Sequence, residues 1–348
     1  MRRKRPGNPR SRKYFRQRTV RRHQSSRLEP ILPNSRRSGG KVEWGYKLNM
    51  DDIKKIAGYA IIITMNFLFP ILAAALEASA MTLDKVALSI QKLSYKSYLG
   101  INFPLVTLVL LVVFLIIRPP ISNSLFAGKL PLLILLCALI SFAVNLLYYR
   151  ALSKDNLNEL QIVDLLFGLP TALYASIFFV DERKPIILGM IILVSIVIVW
   201  SHWEKHHFKI AKRTSYYLIW IVTIAPFSPL AIKELLVVWH PVALTAIISA
   251  ITTLLLAPIY LKYAPRTSPK AFLTLLVISI FNGLATIFYY FSYQVSGIAL
   301  TMLLFSLQPI LVYFASVFFL KERLHWKKLT AFIIILISIA IIQITTSK

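Results

Sequence analysis

One acidic residue, Asp164, lies inside an apolar stretch of the chain, residues 160–180. If that stretch is a membrane helix, Asp164 lies about six residues, or about 9 Å, from its midpoint. An ionised carboxylate in the lipid interior costs about 2.5–3.5 kcal/mol even on insertion scales, so it should face protein or water and serve binding or proton transfer. An aspartate that reaches the interface or pairs with Arg150 is the structural alternative.

Tyrosine and amide side chains recur near the ends of two other apolar stretches. Asn145 precedes Tyr149 by four residues and Asn282 precedes Tyr290 by eight, so each amide can share a helical face with its tyrosine. Phenol and amide groups can hydrogen-bond a polar ligand, while interfacial anchoring and helix–helix hydrogen bonds explain them equally well. Our candidates for a substrate cavity are Asn145, Tyr149, Asp164, Asn282, Tyr290 and Gln308.

Prolines inside apolar stretches, and two glutamates before apolar stretches, are candidates for structural roles. A proline in a helix removes an i to i−4 hydrogen bond and kinks the helix, so we expect hinges or freed carbonyl groups there. A carboxylate at a helix start gains about 0.3–1 kcal/mol from the helix dipole. These hinge or structural candidates are Pro70, Pro170, Pro226, Pro309, Glu182 and Glu322.

The elements that hold these residues follow from hydropathy. The chain has 348 residues, of which 57% are apolar and 16% charged, and its mean hydropathy is +0.66. A helix needs roughly 20 residues to cross the hydrocarbon core. Suitable stretches are 56–76, 97–117, 130–149, 160–180, 185–203, 215–232, 235–261, 329–347, and two within 271–320 that meet near Ser296 and Gly297. We therefore expect an all-α multi-pass membrane protein with ten transmembrane helices.

The start of the chain has a different composition. Residues 1–41 hold fifteen Lys or Arg and one acid, so we expect residues 1–55 to form a basic disordered tail. Its composition also fits an organellar transit peptide, an arm on anionic lipid, or a nucleic-acid contact. An extension upstream of a true start at Met50 is a further alternative. We expect contact with the bilayer and no nucleic-acid partner.

The basic residues leave the topology open. With a cytoplasmic N-terminus, 24 of the Lys and Arg residues lie inside and 16 outside, which favours this orientation. If the tail is counted only from Arg36, 12 lie inside and 16 outside, which favours the opposite orientation. Moving eighteen basic tail residues outward against the membrane potential costs about 2.3 kcal/mol per charge per 100 mV. We therefore expect both termini inside.

Two segments of the chain read alike. In the first, residues 148–152 (YYRAL) are followed by Pro170 and then by residues 181–183 (DER). In the second, about 140 residues later, residues 289–293 (YYFSY) are followed by Pro309 and residues 321–323 (KER). Five spans per copy would place the halves in opposite orientations, so we expect inverted five-helix repeats at 56–203 and 215–347.

This pattern resembles the drug/metabolite transporter superfamily, EamA type, whose halves end in a proline-containing helix, a Glu-Arg turn and a last apolar helix. The resemblance covers about residues 56–346 and departs from the family in the basic tail and in a first loop at 77–96. It implies a secondary transporter that exports or exchanges a small metabolite across the cytoplasmic membrane by alternating access. It leaves the substrate, the coupling ion and the oligomeric state open.

Two other classes of protein remain as alternatives. One is an integral-membrane enzyme that acts on lipid or isoprenoid substrates, which would need clustered carboxylates or histidines at one membrane face. The other is a membrane scaffold that uses the basic tail. Because the sequence has no phosphate-binding loop, catalytic triad order or HExxH motif, we expect no enzyme activity, no cofactor and no metal.

Overall fold

The computed structural model describes residues 50–90, 93–153, 166–201, 212–260, 262–263, 268–308, 310–312, 314–315 and 326–346. These residues are all-helical and contain eleven α-helices. The candidate residues Asp164, Pro309 and Glu322, and the tail 1–49, lie outside the described residues.

The helices, numbered along the chain, are α1 (Met50–Lys85), α2 (Tyr95–Ile117), α3 (Leu130–Leu152), α4 (Gly168–Phe178), α5 (Pro185–Ser201), α6 (Lys212–Thr223), α7 (Phe227–Leu236), α8 (Pro241–Tyr260), α9 (Pro269–Ser296), α10 (Ile298–Phe305) and α11 (Trp326–Thr346). A short π-helix, Val86–Ile90, continues α1, and a 3-10 turn, Val180–Glu182, joins α4 to α5.

Five helical stretches among the described residues are long and apolar enough to cross a membrane, and they lie in α1, α2, α3, α8 and α9. The pair α6 and α7 also passes the test together, with a 43° bend between its two helices. Shorter apolar helices include Gly168–Phe178, Pro185–Ser201 and Leu329–Ile342. The chain is a multi-pass membrane protein.

The first membrane helix extends further than hydropathy predicted. We expected a span at 56–76 and a loop from Glu77 to Lys96, but α1 is helical to Lys85 and the candidate span is Asn66–Leu88. The prediction of a loop was wrong because it rested on charge alone. The segment is rich in Ala, Leu, Met and Glu, which have high helix propensity.

The boundary between the sixth and seventh predicted stretches also moves. α6 ends at Thr223 and α7 begins at Phe227, so the chain bends at Pro226 inside the predicted span 215–232. Lys233 and Glu234, which follow the predicted stretch, lie in the last turns of α7. The predicted break within 271–320 is confirmed, because α9 ends at Ser296 and Gly297 has a φ of 82°.

Helices from the first part of the chain, α2 to α5, pack against helices from the second part, α6 to α11. α2 packs against α8 and α9, α3 packs against α6, α7 and α8, α4 packs against α10, and α5 packs against α10 and α11. Hydroxyl groups join some of these helices: Thr107 Oγ1 of α2 lies 2.9 Å from Ser249 Oγ and 2.7 Å from Thr253 Oγ1 of α8. Such hydrogen bonds stabilise helix pairs in lipid, where apolar burial alone gives little preference for one neighbour over another.

Candidate functional site

Two adjoining cavities lie between the helices. The larger has a volume of about 300 Å³ and the smaller about 170 Å³. Side chains of α1, α3, α8 and α9 line both, α2 adds to the smaller cavity, and α6, α7 and α10 add to the larger one. The residues that line both cavities are Glu77, Ser141, Asn145, Ile248, Thr286 and Tyr290.

Four of the six candidate cavity residues lie at these cavities. Asn145 and Tyr290 line both, while Tyr149 and Asn282 line the smaller one. Gln308 is buried and its amide nitrogen lies 2.7 Å from the Met81 sulfur; it is not among the residues that line either cavity. Asp164, the sixth, lies outside the described residues.

Glu77 is absent from our cavity candidates, because its charge placed it at the end of the first predicted span, as the lining of a mouth or a marker of the interface; in the structure it lines both cavities. We had assigned Glu77 to a loop, so a second acidic side chain inside a span was not considered. Helix propensity in residues 73–81 could have found it. The spacing of seven residues to Asp84, two helical turns, places both acids on one face of α1.

Asp84 is 2% exposed and lies in a cluster of phenols. The Tyr98 hydroxyl of α2 donates to one Asp84 oxygen, and the Tyr149 hydroxyl of α3 donates to the other at 3.3 Å. The Tyr98 and Tyr149 ring centroids are 4.4 Å apart. Tyr149 therefore connects the wall of the smaller cavity to a buried carboxylate two turns from Glu77.

Glu182 lies in the turn between α4 and α5 and is 3% exposed. Its carboxylate accepts hydrogen bonds from the backbone N–H groups of Ile298 (2.8 Å) and Ala299 (3.0 Å), and Lys233 of α7 donates to it. We expected Glu182 to stabilise the start of the helix that follows it; the structure instead places it at the N-terminus of α10, more than a hundred residues away. The first unpaired N–H groups of α10 and the helix dipole together favour an anion there.

The same lysine contacts Asp181 in this turn. The hydrogen bond from Lys233 holds the pKa of the Asp181 carboxyl below its usual value. Lys233 therefore pairs with two acids at once, and this cluster joins the α4–α5 turn to α7 and α10.

The candidate prolines occupy different positions. Pro70 lies inside α1, and Pro226 lies at the N-cap of α7, where the chain bends. Pro170 lies in the first turn of α4, directly after a turn at Phe167, so within α4 it interrupts no helical hydrogen bond. Proline is tolerated in a first turn because the N–H groups there have no helical acceptor.

The arrangement suits the binding of a small molecule. Phe167, Tyr289, Tyr290 and Phe305 place rings around the larger cavity, and hydroxyl and amide groups offer hydrogen bonds. The described lining residues include one carboxylate, Glu77, and no Lys, Arg or His.

Residues 214–344 match the sequence profile of the EamA-like transporter family. This part of the chain is similar to EamA-like transporters, and we name residues 214–344 the EamA-like domain. EamA proteins are transporters and not enzymes, which agrees with the function class expected from the sequence. The EamA-like domain contains Asn282, Tyr290, Gln308 and Pro226, whereas Glu77, Asn145 and Tyr149 precede it.

Comparison of folds extends beyond the EamA-like domain. A crystal structure described only as that of a protein aligns with a TM-score of 0.63 and 15% sequence identity, over 80% of this chain and 96% of that chain. At this identity the likeness concerns the fold alone. No match is found among curated protein sequences.

Proposed function

We propose that the chain is a secondary transporter that moves a small metabolite across the cytoplasmic membrane by alternating access. The observation that carries the proposal is the pair of cavities, because their walls come both from α1 and α3 and from helices of the EamA-like domain. A binding site between two halves lets a rocking motion expose it to one side and then to the other. The proposed lining is Asn145, Tyr149, Asn282 and Tyr290, with Asp164 and Gln308 as further candidates.

The proposed architecture is ten membrane segments in two inverted five-helix repeats, residues 56–203 and 215–347. Counting the bent pair α6 and α7 as one segment gives ten segments, numbered along the chain. Three of the helix contacts then join equivalent segments of the two repeats: α2 with α8 joins 2 and 7, α4 with α10 joins 4 and 9, and α5 with α11 joins 5 and 10. A two-fold axis places equivalent elements against each other in this way.

A second pair of contacts supports the same axis. Phe69 of α1 stacks on Phe288 and Phe291 of α9, with ring centroids 5.9 and 5.4 Å apart, which joins segments 1 and 8. α3 packs against α6 and α7, which joins segments 3 and 6. A two-fold operation that exchanges the halves turns one of these contacts into the other.

The proposed hinges are Pro70 in segment 1 and Pro226 in segment 6, which occupy equivalent segments. The 43° bend beside Pro226 supports a hinge at that position. Pro170 and Pro309 would form the corresponding pair in segments 4 and 9. We place Glu322 opposite Glu182, as the acid of the second repeat with the same structural role.

Cysteine labelling tests the orientation of the repeats. Cys137 is the one cysteine of the sequence, so Cys137→Ala gives a background for single cysteines at Val180, which is exposed, and at Arg323. A membrane-impermeant maleimide should label the two positions from opposite sides, with Val180 on the cytoplasmic side. Labelling of both from one side would contradict the inverted repeat.

Transport itself is tested in proteoliposomes. Metabolites that raise the melting temperature of the detergent-solubilised protein are selected first, because ligand that binds only the folded form stabilises it. Uptake of these compounds should fall about fivefold in Asn145→Ala and Tyr290→Phe, the factor expected for one lost hydrogen bond of about 1 kcal/mol. Thr330→Ala is the matched control, since Thr330 is exposed and bonds only within α11. Wild-type uptake in both cavity variants would remove these cavities from the transport path.

Deleting residues 1–49 separates the carrier from the scaffold alternative. A carrier whose site lies among the helices should keep its uptake rate without the tail. Loss of all activity in a folded deletion variant would instead favour a function centred on the tail.

A further inference from the structure

Resting on the proposed transport function, we propose that the cavities select small organic cations, amines with an apolar body, and that Glu77 binds their charge. The proposal goes beyond transport of an unspecified metabolite because it names the chemical class of the substrate and the residue that recognises it.

The first step concerns the position of Glu77 and the partners of its carboxylate. Its side chain is partly buried, lies in the candidate span Asn66–Leu88, and lines both cavities. No hydrogen bond or ion pair joins its carboxylate to another residue in the described part of the chain. A carboxylate at membrane depth is costly without a partner, so Glu77 is placed to receive a positive charge from a ligand.

The second step concerns the nearby charges. The other acid on this face, Asp84, is hydrogen-bonded by Tyr98 and Tyr149 and so already has partners within the protein. The basic side chains Lys129 and Lys233 pair with Glu234 and with the Asp181–Glu182 turn. Neither lysine is among the residues that line the two cavities. Among the described lining residues the one ionisable acid is therefore opposed by no fixed cation, which favours a positively charged ligand over an anion.

The third step is the shape of the larger cavity. A volume of about 300 Å³ lies at the lower end of ligand pockets, so it suits a small metabolite. Tyr289, Tyr290, Phe167 and Phe305 supply ring surfaces, which attract cations as well as apolar groups. Ser141, Asn145 and Thr286 can hydrogen-bond uncharged polar groups of the ligand.

The same lining residues disfavour the binding of anions and amino acids. The carboxylate of an amino acid would meet no Lys, Arg or His among the described lining residues, and it would lie close to Glu77. Like charges at short distance in a medium of low dielectric constant repel strongly. An amine should therefore bind better than the amino acid with the same apolar body.

The experiment compares ligands that share a body and differ in charge. One series is 2-phenylethylamine, 2-phenylethanol, phenylalanine and 3-phenylpropanoate; the other is hexylamine, 1-hexanol, 6-aminohexanoate and hexanoate. Binding to the full chain in detergent is measured by thermal shift and by titration calorimetry. In at least one series the amine should bind tightest, at least about tenfold better than the alcohol and the anion. Equal or reversed ranking in both series would overturn the proposal.

The variant Glu77→Gln removes the charge and keeps the shape of the side chain. It should weaken amine binding at least about tenfold while binding of the alcohol stays the same. Glu234→Gln is the matched control, because Glu234 is an exposed glutamate that pairs with Lys129 and lines neither cavity. The melting temperature and the elution volume of each variant without ligand show whether it folds. Unchanged amine affinity in folded Glu77→Gln would overturn the role of Glu77.

Counterflow of radiolabelled amine in proteoliposomes separates this inference from the transport function. Amine that binds through Glu77 but is not moved would leave the cation site standing and contradict transport. Movement of a neutral or anionic metabolite, with no preference for amines in either series, would leave transport standing and overturn the cation site.

Discussion

The Ser296 hydroxyl of α9 donates a hydrogen bond of 2.8 Å to the backbone carbonyl of Asn66 in α1. That carbonyl would normally accept from the N–H of residue 70, but residue 70 is a proline and has none. The proline in one helix therefore creates an acceptor that a serine in another helix satisfies. In lipid, where no water replaces a lost partner, such a bond ties the two helices together.

Replacing Ser296 tests this link. Ser296→Ala should lower the free energy of unfolding by about 1 kcal/mol, because a buried carbonyl loses its donor. In a Pro70→Ala background the restored backbone N–H can donate to the Asn66 carbonyl, so the same change should cost less. The comparison is a double-mutant cycle on unfolding in detergent, and equal costs in the two backgrounds would contradict the coupling.

Gly297, between α9 and α10, should tolerate no side chain. Its φ of 82° and ψ of 172° belong to a region that is almost restricted to glycine, and a Cβ there would lie 2.7 Å from Glu182 Oε1. Gly297→Ala should therefore cost roughly 3 kcal/mol or more, from backbone strain of about 1–3 kcal/mol and from displacement of the Glu182 carboxylate.

Two other glycines separate these causes. Gly128 also has positive φ, 59°, but a Cβ there meets nothing within 4 Å, so Gly128→Ala should show the backbone cost alone. Gly189 lies in α5 with open space around it, so Gly189→Ala should be neutral or stabilising by about 0.5–1 kcal/mol. Melting temperatures should rank Gly189→Ala highest and Gly297→Ala lowest, and a melting temperature of Gly297→Ala at or above that of Gly128→Ala would contradict the contact with Glu182.

Glu182 should be a structural residue rather than a determinant of selectivity. Glu182→Ala leaves the Ile298 and Ala299 amides without their acceptor and removes one partner of Lys233. Removing one member of a buried ion pair costs about 3–5 kcal/mol, so the yield of folded protein and its melting temperature should fall. Uptake per folded molecule should keep its substrate preference.

Glu234→Ala provides the comparison for that change. Its ion pair with Lys129 is exposed, and such pairs contribute about 0–1 kcal/mol. The melting temperature should change little. If Glu182→Ala were as mild as Glu234→Ala, the stabilising role of Glu182 at α10 would be wrong.

Asp164 remains a candidate for proton coupling. If the carboxylate carries the proton, Asp164→Asn should abolish uptake driven by a pH gradient while the protein still folds, because an amide cannot exchange that proton. Uptake is measured in proteoliposomes with an imposed pH difference. Unchanged uptake would remove Asp164 from the mechanism.

Hydropathy predicted the membrane helices well where the stretches are uncharged. The stretch 130–149 corresponds to α3 and the stretch 97–117 to α2, because continuous apolar composition needs no knowledge of neighbours. Hydropathy failed to predict the helix from Glu77 to Asp84, because a charged residue was taken to end the membrane span. Tertiary packing holds these acids in α1 by giving them a cavity and two phenols.

The sequence by itself determined that this is a multi-pass helical membrane protein with a similarity to EamA-type transporters, because length, hydropathy and the motif with Pro and Glu-Arg are local properties. It also identified side chains that lie at the cavities, since helical spacing places Asn145 and Tyr149 on one face. Only the tertiary structure decided that Glu182 accepts hydrogen bonds at the start of α10, and that Glu77 lines two cavities with no hydrogen-bond or ion-pair partner among the described residues. Both facts depend on which residues distant in the chain meet, and no local pattern contains that information.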